Sequence, residues 1–125
     1  METHMDEAAA RAPAASWAWI WQAITGLGLI GLLTLHMVAQ HFVAEGGIRD
    51  YADVVAYLRH PVILVLEVLF LITVTAHALL GVRAVLFDLG LSESGERRVT
   101  QVLWVIGVLT VGYGFWLTWA ILNHP

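Results

Sequence analysis

The sequence contains no cysteine and no lysine, and few of its 125 residues carry a charge. The absence of cysteine excludes disulfides, thiolate metal sites and covalent haem attachment through a CxxCH motif. Charged residues make up 13% of the chain, well below the usual share in a soluble domain. The net charge of −4 argues against nucleic acid as a partner, because no basic patch is evident in the sequence. Apolar residues account for 59% of the chain, which is typical of a membrane protein.

Three apolar segments are long enough to cross a bilayer, whose hydrocarbon core of about 30 Å needs about 20 helical residues. They cover about 17–43, 61–87 and 99–122. In lipid such segments must be helical, because their backbone groups find hydrogen-bond partners only within the segment. The sequence therefore predicts an all-α membrane protein with three transmembrane helices. We expect one anchor domain over 16–125, preceded by a flexible, Ala-rich tail over 1–15.

The loop after the first span is predicted to contain a stop signal and a short helix. Glu45-Gly46-Gly47 ends the first span, and residues 50–59 are typical of an amphipathic helix that lies at the membrane interface. Pro61 suits the first turn of the second helix, because its missing N–H is not needed there. The predicted apolar face of the short helix consists of Tyr51, Val54, Val55 and Leu58.

The second loop and the arginines predict the orientation of the chain. Gly90 ends the second span, and residues 92–96 are expected to form a polar turn. Arginines are more frequent on the side that holds the N-terminus and this turn. The positive-inside rule then places the N-terminus in the cytoplasm and the C-terminus outside. The acidic tail lacks the features of a secretory signal or a mitochondrial presequence, which favours the inner membrane of a prokaryote.

Two histidines lie well inside the predicted spans, where an ionisable side chain is costly and usually functional. His36 lies 19 residues after Trp17, and His77 lies 16 residues after Pro61. At 1.5 Å per residue they are about 28 Å and about 24 Å along antiparallel helices. They are therefore expected near opposite faces of the membrane, where they cannot share one metal ion. Two ligands so placed serve two centres, and each needs a second ligand from another chain.

An apolar bundle with single histidines is the usual setting of b-type haem, which two axial imidazoles hold. Thr73, His77 and Gly81 share one face at four-residue spacing, and Gly81 would let a macrocycle edge or another helix approach closely. Asp88 returns to nearly the same face, and Arg83 at the helix end could pair with a haem propionate. A comparable stripe on the first helix consists of Thr25, Leu29, Leu32 and His36.

Each of these assignments has a structural alternative. A lone polar residue in a membrane helix often forms an interhelical hydrogen bond, and both histidines could do so instead of binding haem. His41, on a different face close to the interface, is expected to be a surface or propionate-contacting residue. Glu67, about one turn inside the second span, is expected to snorkel, with proton transfer as the alternative. No nucleophile–histidine–acid set, HExxH motif or phosphate loop is present, so catalysis by this chain alone is not expected.

Two stretches carry a family resemblance: Trp21-Gln22-Ala23-Ile24-Thr25-Gly26, which opens the first helix, and His77-Ala78-Leu79-Leu80-Gly81-Val82-Arg83, followed by Asp88. They resemble the small membrane-anchor subunits of succinate dehydrogenase (complex II) and of the related fumarate reductases. That family shows His or Gln, Arg, any residue, and Ser or Thr with Gly in the first helix. Its second helix shows His-x-x-x-Gly-x-Arg and then Asp, and the His is an axial haem ligand.

The resemblance implies a complex in which a flavoprotein subunit oxidises succinate, an iron–sulfur subunit carries electrons, and two anchor chains bind haem b and quinone. Some members of the family hold one haem, ligated by the second helix of each anchor, and others hold two. His36 together with His77 fits the two-haem kind, in which both would be axial ligands of haems shared with a sibling anchor. Thr25, Gly81 and Arg83 would contribute to the same cofactor sites. The chain would then be a non-catalytic subunit that helps electrons reach quinone. The alternatives are a haem-free structural anchor, a fumarate reductase anchor, or an unrelated small membrane protein.

Three positions depart from the family's pattern around the quinone site. Ala23 stands where the family has a quinone-site Arg, Trp19 where a Ser often contacts quinone, and Leu89 where a Tyr can follow the Asp. We therefore expect this chain to supply only a wall of a quinone site, formed by Trp19, Gln22 and Asp88. The sibling anchor would supply the polar groups, which makes this chain the smaller, D-type anchor.

Overall fold

The computed structural model describes the backbone of residues 2–44, 46–48 and 50–124, and the side chains of 17–42, 44, 46–48 and 50–124. The described part is helical and contains no strand. Its elements are α1 (Glu2–Val38), a π-helical turn that continues α1 (Ala39–Val43), α2 (Tyr51–Arg59), α3 (Pro61–Asp88) and α4 (Glu93–Asn123). The all-α fold predicted from the sequence is thus confirmed.

Three helices of the described part are long and apolar enough to cross a membrane: Trp17–Phe42, Pro61–Asp88 and Glu93–Asn123. The first two nearly coincide with the predicted spans. At most 6% of the most apolar window of each helix is buried within the chain, so many of its apolar side chains are half-buried or exposed in the isolated chain. Helix α1 also continues back to Glu2. The side chains of residues 1–16 lie outside the described residues, and the flexible tail over 1–15 stays a prediction.

Helix α4 begins six residues before the predicted third span. The Ser92 hydroxyl accepts a hydrogen bond from the Gly95 N–H at 3.3 Å, which caps the helix. Glu93 and Glu96 lie in the first turn, where the positive end of the helix dipole favours acidic side chains. The prediction of a polar turn over 92–96 is therefore wrong, because these residues cap and begin α4.

Glycines in the left-handed region follow the first and third helices. Gly46 and Gly47 have φ of 77° and 78°, and Gly90 has φ of 74°; residues other than glycine rarely adopt these angles. Gly90 directly follows Leu89, the cap of α3, whereas the π-helical turn already ends at Val43, where Ala44 becomes extended. Pro61 occupies the first turn of α3, as predicted.

Helix α2 is held by a reciprocal cap and turns a tyrosine inward. The Asp50 carboxylate accepts from the Asp53 N–H at 3.0 Å, and the Asp53 carboxylate accepts from the Asp50 N–H at 3.3 Å.

The predicted apolar face of α2 is only partly correct, since Val55 is buried but Tyr51 is 52% exposed. Tyr57, which that prediction left out, is 8% exposed and packs with Ala39 and Ile63. The small core of the described part lies at this junction of α1, α2 and α3.

Helix α3 packs between α1 and α4. Small residues allow the close approach of α4: a Cβ at Gly107 would lie 2.8 Å from Leu79 Cδ1, and one at Gly114 would overlap Leu71. Close packing through small residues is the usual basis of helix association in lipid. The contact between α1 and α3, which we call the α1–α3 seam, instead carries the polar groups described next.

Candidate functional site

His77 lies against α1 at the level of Thr25, with its Nδ1 facing the Thr25 hydroxyl. His77 Nδ1 is 3.1 Å from Thr25 Oγ1. The Thr25 hydroxyl has one proton and also lies 2.7 Å from the Trp21 carbonyl oxygen and 3.2 Å from the Gln22 carbonyl oxygen. When that proton goes to a carbonyl, Thr25 Oγ1 accepts from His77 Nδ1, which then carries the hydrogen. The neutral ring then has its lone pair on Nε2.

The Nε2 atom of His77 is open. It forms no hydrogen bond to any described residue, and it is not among the buried polar atoms that lack a partner. An imidazole with Nδ1–H bonded to the protein and Nε2 open is the arrangement found in metal-ligating histidines. His77 can therefore offer one nitrogen to a metal that another chain also ligates.

Glycines set the close fit between His77 and α1. A Cβ at Gly26 would lie 3.1 Å from His77 Cε1, a spacing at which the ring would have to move. A Cβ at Gly81 would lie 3.3 Å from Gln22 Nε2. Gly81 was expected to allow the close approach of a macrocycle edge or of another helix. The structure shows α1 beside it.

Gln22 holds an unsatisfied polar atom in the α1–α3 seam. Its Oε1 is buried and has no hydrogen-bond partner among the described residues. Buried side-chain oxygens normally have a partner, so this one marks a place where a further group can contribute a donor. The other two expected members of the quinone wall, Trp19 and Asp88, are exposed.

Arg83 lies on the α4 side of α3 and not beside His77. Its Nε donates to Thr100 Oγ1 at 3.4 Å, and its guanidinium lies over the Phe87 ring, 4.0 Å from the centroid. It also lines an apolar groove of about 480 Å³ between α3 and α4, beside Leu79. The structure does not bring Arg83 together with His77, and its pairing with a propionate stays a prediction.

His36 is held by a carboxylate on α3. Its Nδ1 lies 2.8 Å from both Glu67 Oε1 and Glu67 Oε2. The ring stacks on Phe70, with centroids 4.6 Å apart and an interplanar angle of 24°. The carboxylate is an acceptor, so Nδ1 carries a hydrogen here as well. Nε2 forms no hydrogen bond within the described part and is not buried.

Tyr57 completes a cluster that the sequence did not predict. Its hydroxyl donates to Glu67 Oε1 at 2.5 Å. Burial, and next the hydrogen bond to Glu67, raise the pKa of Tyr57, so the phenol stays protonated and acts as the donor. Both oxygens of Glu67 are bonded within the chain, and the expectation that Glu67 snorkels is wrong. The sequence offered one indication of this cluster, because Tyr57 and Glu67 are ten residues apart on either side of Pro61.

The two histidine sites lie at different depths, as the sequence predicted. His36 pairs with Glu67, and His77 lies ten residues further along α3, which corresponds to about 15 Å. No group of three or more His, Cys, Asp or Glu side chains that could hold a metal occurs within the described residues. Each histidine can therefore supply one ligand to a separate centre. His41, in the π-helical turn, is exposed and belongs to neither site.

Comparison with known proteins identifies the family of the chain. Residues 3–122 match the family described as succinate dehydrogenase/fumarate reductase transmembrane subunit. The chain is 34% identical to the succinate dehydrogenase hydrophobic membrane anchor subunit of Archaeoglobus fulgidus, over 83% of this chain and 88% of that protein. It is 30% identical to the subunit of the same name from Thermoplasma acidophilum, over 74% of this chain and 76% of that protein.

A third relative is the succinate dehydrogenase 2 membrane subunit SdhC of Mycobacterium tuberculosis. It is 28% identical over 73% of this chain and 65% of its own length. No solved structure matches the chain significantly.

Proposed function

The chain belongs to the family of succinate dehydrogenase and fumarate reductase transmembrane subunits, and from this membership and its two histidine sites we propose that it binds haem b. As a membrane anchor it works within a complex. We infer that its partners are a flavoprotein subunit, an iron–sulfur subunit and a second anchor chain. We further infer that it is the smaller, D-type anchor of a succinate:quinone oxidoreductase, in a prokaryotic inner membrane with the N-terminus in the cytoplasm.

The hydrogen bond between His77 and Thr25 is the observation that supports haem binding most strongly. It holds the proton on Nδ1 and leaves the Nε2 lone pair open, which fits an axial haem ligand. Glu67 does the same for His36. His77 and His36 would each hold one haem together with an imidazole of the second anchor. Bound haem would supply a one-electron carrier between the iron–sulfur subunit and quinone.

The chain's other residues would support this role by shape and charge. Gly26 lets the His77 ring lie against α1. The terminal nitrogens of Arg83 form no hydrogen bond in the described part, so they are available to a haem propionate. Gln22, with its unpartnered Oε1, would form a quinone-site wall with Trp19 and Asp88, and the second anchor would provide the remaining polar groups.

A second candidate function is that of a haem-free structural anchor, and one observation favours it. Each histidine forms an interhelical hydrogen bond, His77 with Thr25 and His36 with Glu67. Such bonds alone can stabilise helix association in lipid. The two candidates differ in whether Nε2 of each ring binds iron.

A reduced-minus-oxidised visible spectrum of the detergent-purified complex tests the proposal. The wild type is compared with His77→Ala and His36→Ala, with His41→Ala as the matched control. We expect a distinct b-type band to disappear in each of the first two variants and none in the control. Loss of a band only in His77→Ala would leave one haem and make His36 a packing residue. A wild-type complex without haem would favour the structural anchor.

The direction of the reaction needs a second measurement on the same preparation. Rates of succinate oxidation with quinone and of fumarate reduction with quinol are compared. Faster succinate oxidation is the expected result for a succinate dehydrogenase anchor. Faster fumarate reduction would assign the chain to a fumarate reductase.

A further inference from the structure

We propose that Glu67 is a positioning residue for His36, and that together with Tyr57 it sets the electron-donating strength of the His36 imidazole. The inference rests on the proposed function, because its consequence is measured on the haem that His36 would hold. Neither the family match nor the names of the relatives assign a role to Glu67 or Tyr57.

The contacts of Glu67 hold the His36 ring in one orientation. Both carboxylate oxygens lie 2.8 Å from His36 Nδ1, and the ring face stacks on Phe70. A carboxylate that accepts from one imidazole nitrogen fixes the tautomer and makes the other nitrogen a stronger donor to a metal. Through His36, the charge of Glu67 would therefore favour the oxidised iron.

Position and charge separate Glu67 from an ordinary packing residue. It lies six residues inside α3 and is the only acidic residue away from the ends of the three candidate spans. A carboxylate at such a depth is costly and normally retained for function. A neutral group is sufficient to orient a histidine in this chain, since Thr25 does so for His77. What Glu67 adds at His36 is negative charge.

Tyr57 opposes Glu67 in this arrangement. Its hydroxyl donates to Glu67 Oε1 at 2.5 Å, which draws negative charge away from the carboxylate. Loss of that hydroxyl would make Glu67 a stronger acceptor from His36. The geometry therefore predicts opposite effects for the two residues: Glu67→Gln weakens the imidazole as a donor, and Tyr57→Phe strengthens it.

The test is a spectroscopic redox titration of the whole purified complex. The His36-dependent band, identified by its loss in His36→Ala, is followed in Glu67→Gln and Tyr57→Phe. We expect Glu67→Gln to raise its midpoint potential by about 59 mV, equivalent to about a tenfold change in the ratio of oxidised to reduced haem for one electron. Tyr57→Phe should lower the potential by a smaller amount. The His77-dependent band should keep its potential in both variants.

Thr34→Val is the matched control, since Thr34 is exposed on α1 and, among the described residues, its hydroxyl bonds only the Ile30 carbonyl. It should move neither band. An unchanged His36-dependent potential in Glu67→Gln, shifts of the same sign in both variants, or equal shifts of both bands would overturn the inference and indicate a structural role. Should Glu67→Gln fail to assemble, Tyr57→Phe alone decides through the sign of its shift. Absence of a His36-dependent band from the wild type would instead refute the proposed function at His36, and this inference with it.

Discussion

Replacing Thr25 with valine removes one hydroxyl and nearly preserves the shape of the side chain. The substitution abolishes the 3.1 Å hydrogen bond to His77 Nδ1 and the contacts with the Trp21 and Gln22 carbonyls. We expect the orientation of the His77 ring to be lost, because Nδ1 has no other hydrogen-bond partner within the described residues. Thr25→Ser is the matched control, since serine keeps the hydroxyl and can form the same bonds.

Loss of the Thr25 hydroxyl has two free-energy costs, the lost hydrogen bond and the N–H left without a partner. An interhelical hydrogen bond in lipid contributes about 0.6 kcal/mol on average. A partly buried N–H left without a partner adds about 1 kcal/mol, the low end of the usual penalty. The sum, about 1.6 kcal/mol, is the expected loss of stability of the folded chain. Second-sphere substitutions at metal-ligating histidines lower metal affinity about 10–100-fold, so we expect haem affinity to fall by about tenfold.

The assay is transfer of haem from the purified complex to an excess of apomyoglobin, followed at the band that His77→Ala removes. Thr25→Val should lose that haem about tenfold more readily than the wild type, and Thr25→Ser should behave as the wild type. Haem retention by Thr25→Val at the wild-type level would refute the argument that the Thr25 hydroxyl fixes the ligand. Equal losses in the valine and serine variants would do so as well.

Three further predictions follow from the packing and the caps. Gly26→Ala places a Cβ 3.1 Å from the adjacent imidazole ring, and should weaken that ring's haem band, whereas Gly31→Ala, with open space around it, should not. Asp50→Ala removes the cap of α2 and should destabilise it by about 0.5–2 kcal/mol, seen as faster amide exchange confined to that helix. Because the chain has no cysteine, Ser94→Cys and Ala52→Cys report orientation: a membrane-impermeant maleimide should label the first from the cytoplasmic side and the second from outside, and the reverse pattern would invert the assigned topology.

Hydropathy predicted the spans because bilayer thickness sets a minimum length for an apolar helix. The start of α4 was missed because the same Ser92 and Glu93 that suit a turn also suit a helix cap. Tyr57 was missed because the face of α2 was judged by apolar side chains alone. In helices that are apolar on all sides, periodicity does not show which face meets another helix. The pairing of His77 with Thr25 therefore required the packed structure, although both residues were candidates beforehand.

The three membrane helices contact one another through different kinds of side chain. Helices α1 and α3 meet through hydrogen-bonded side chains at two depths, with Thr25 and His77 at one level and His36 and Glu67 at the other. Helix α4 meets α3 through glycines and leucines and through one bond near its start, from Arg83 to Thr100. Neither imidazole Nε2 has a hydrogen-bond partner within the described residues, so the proposed haem centres would each need a ligand from a second chain.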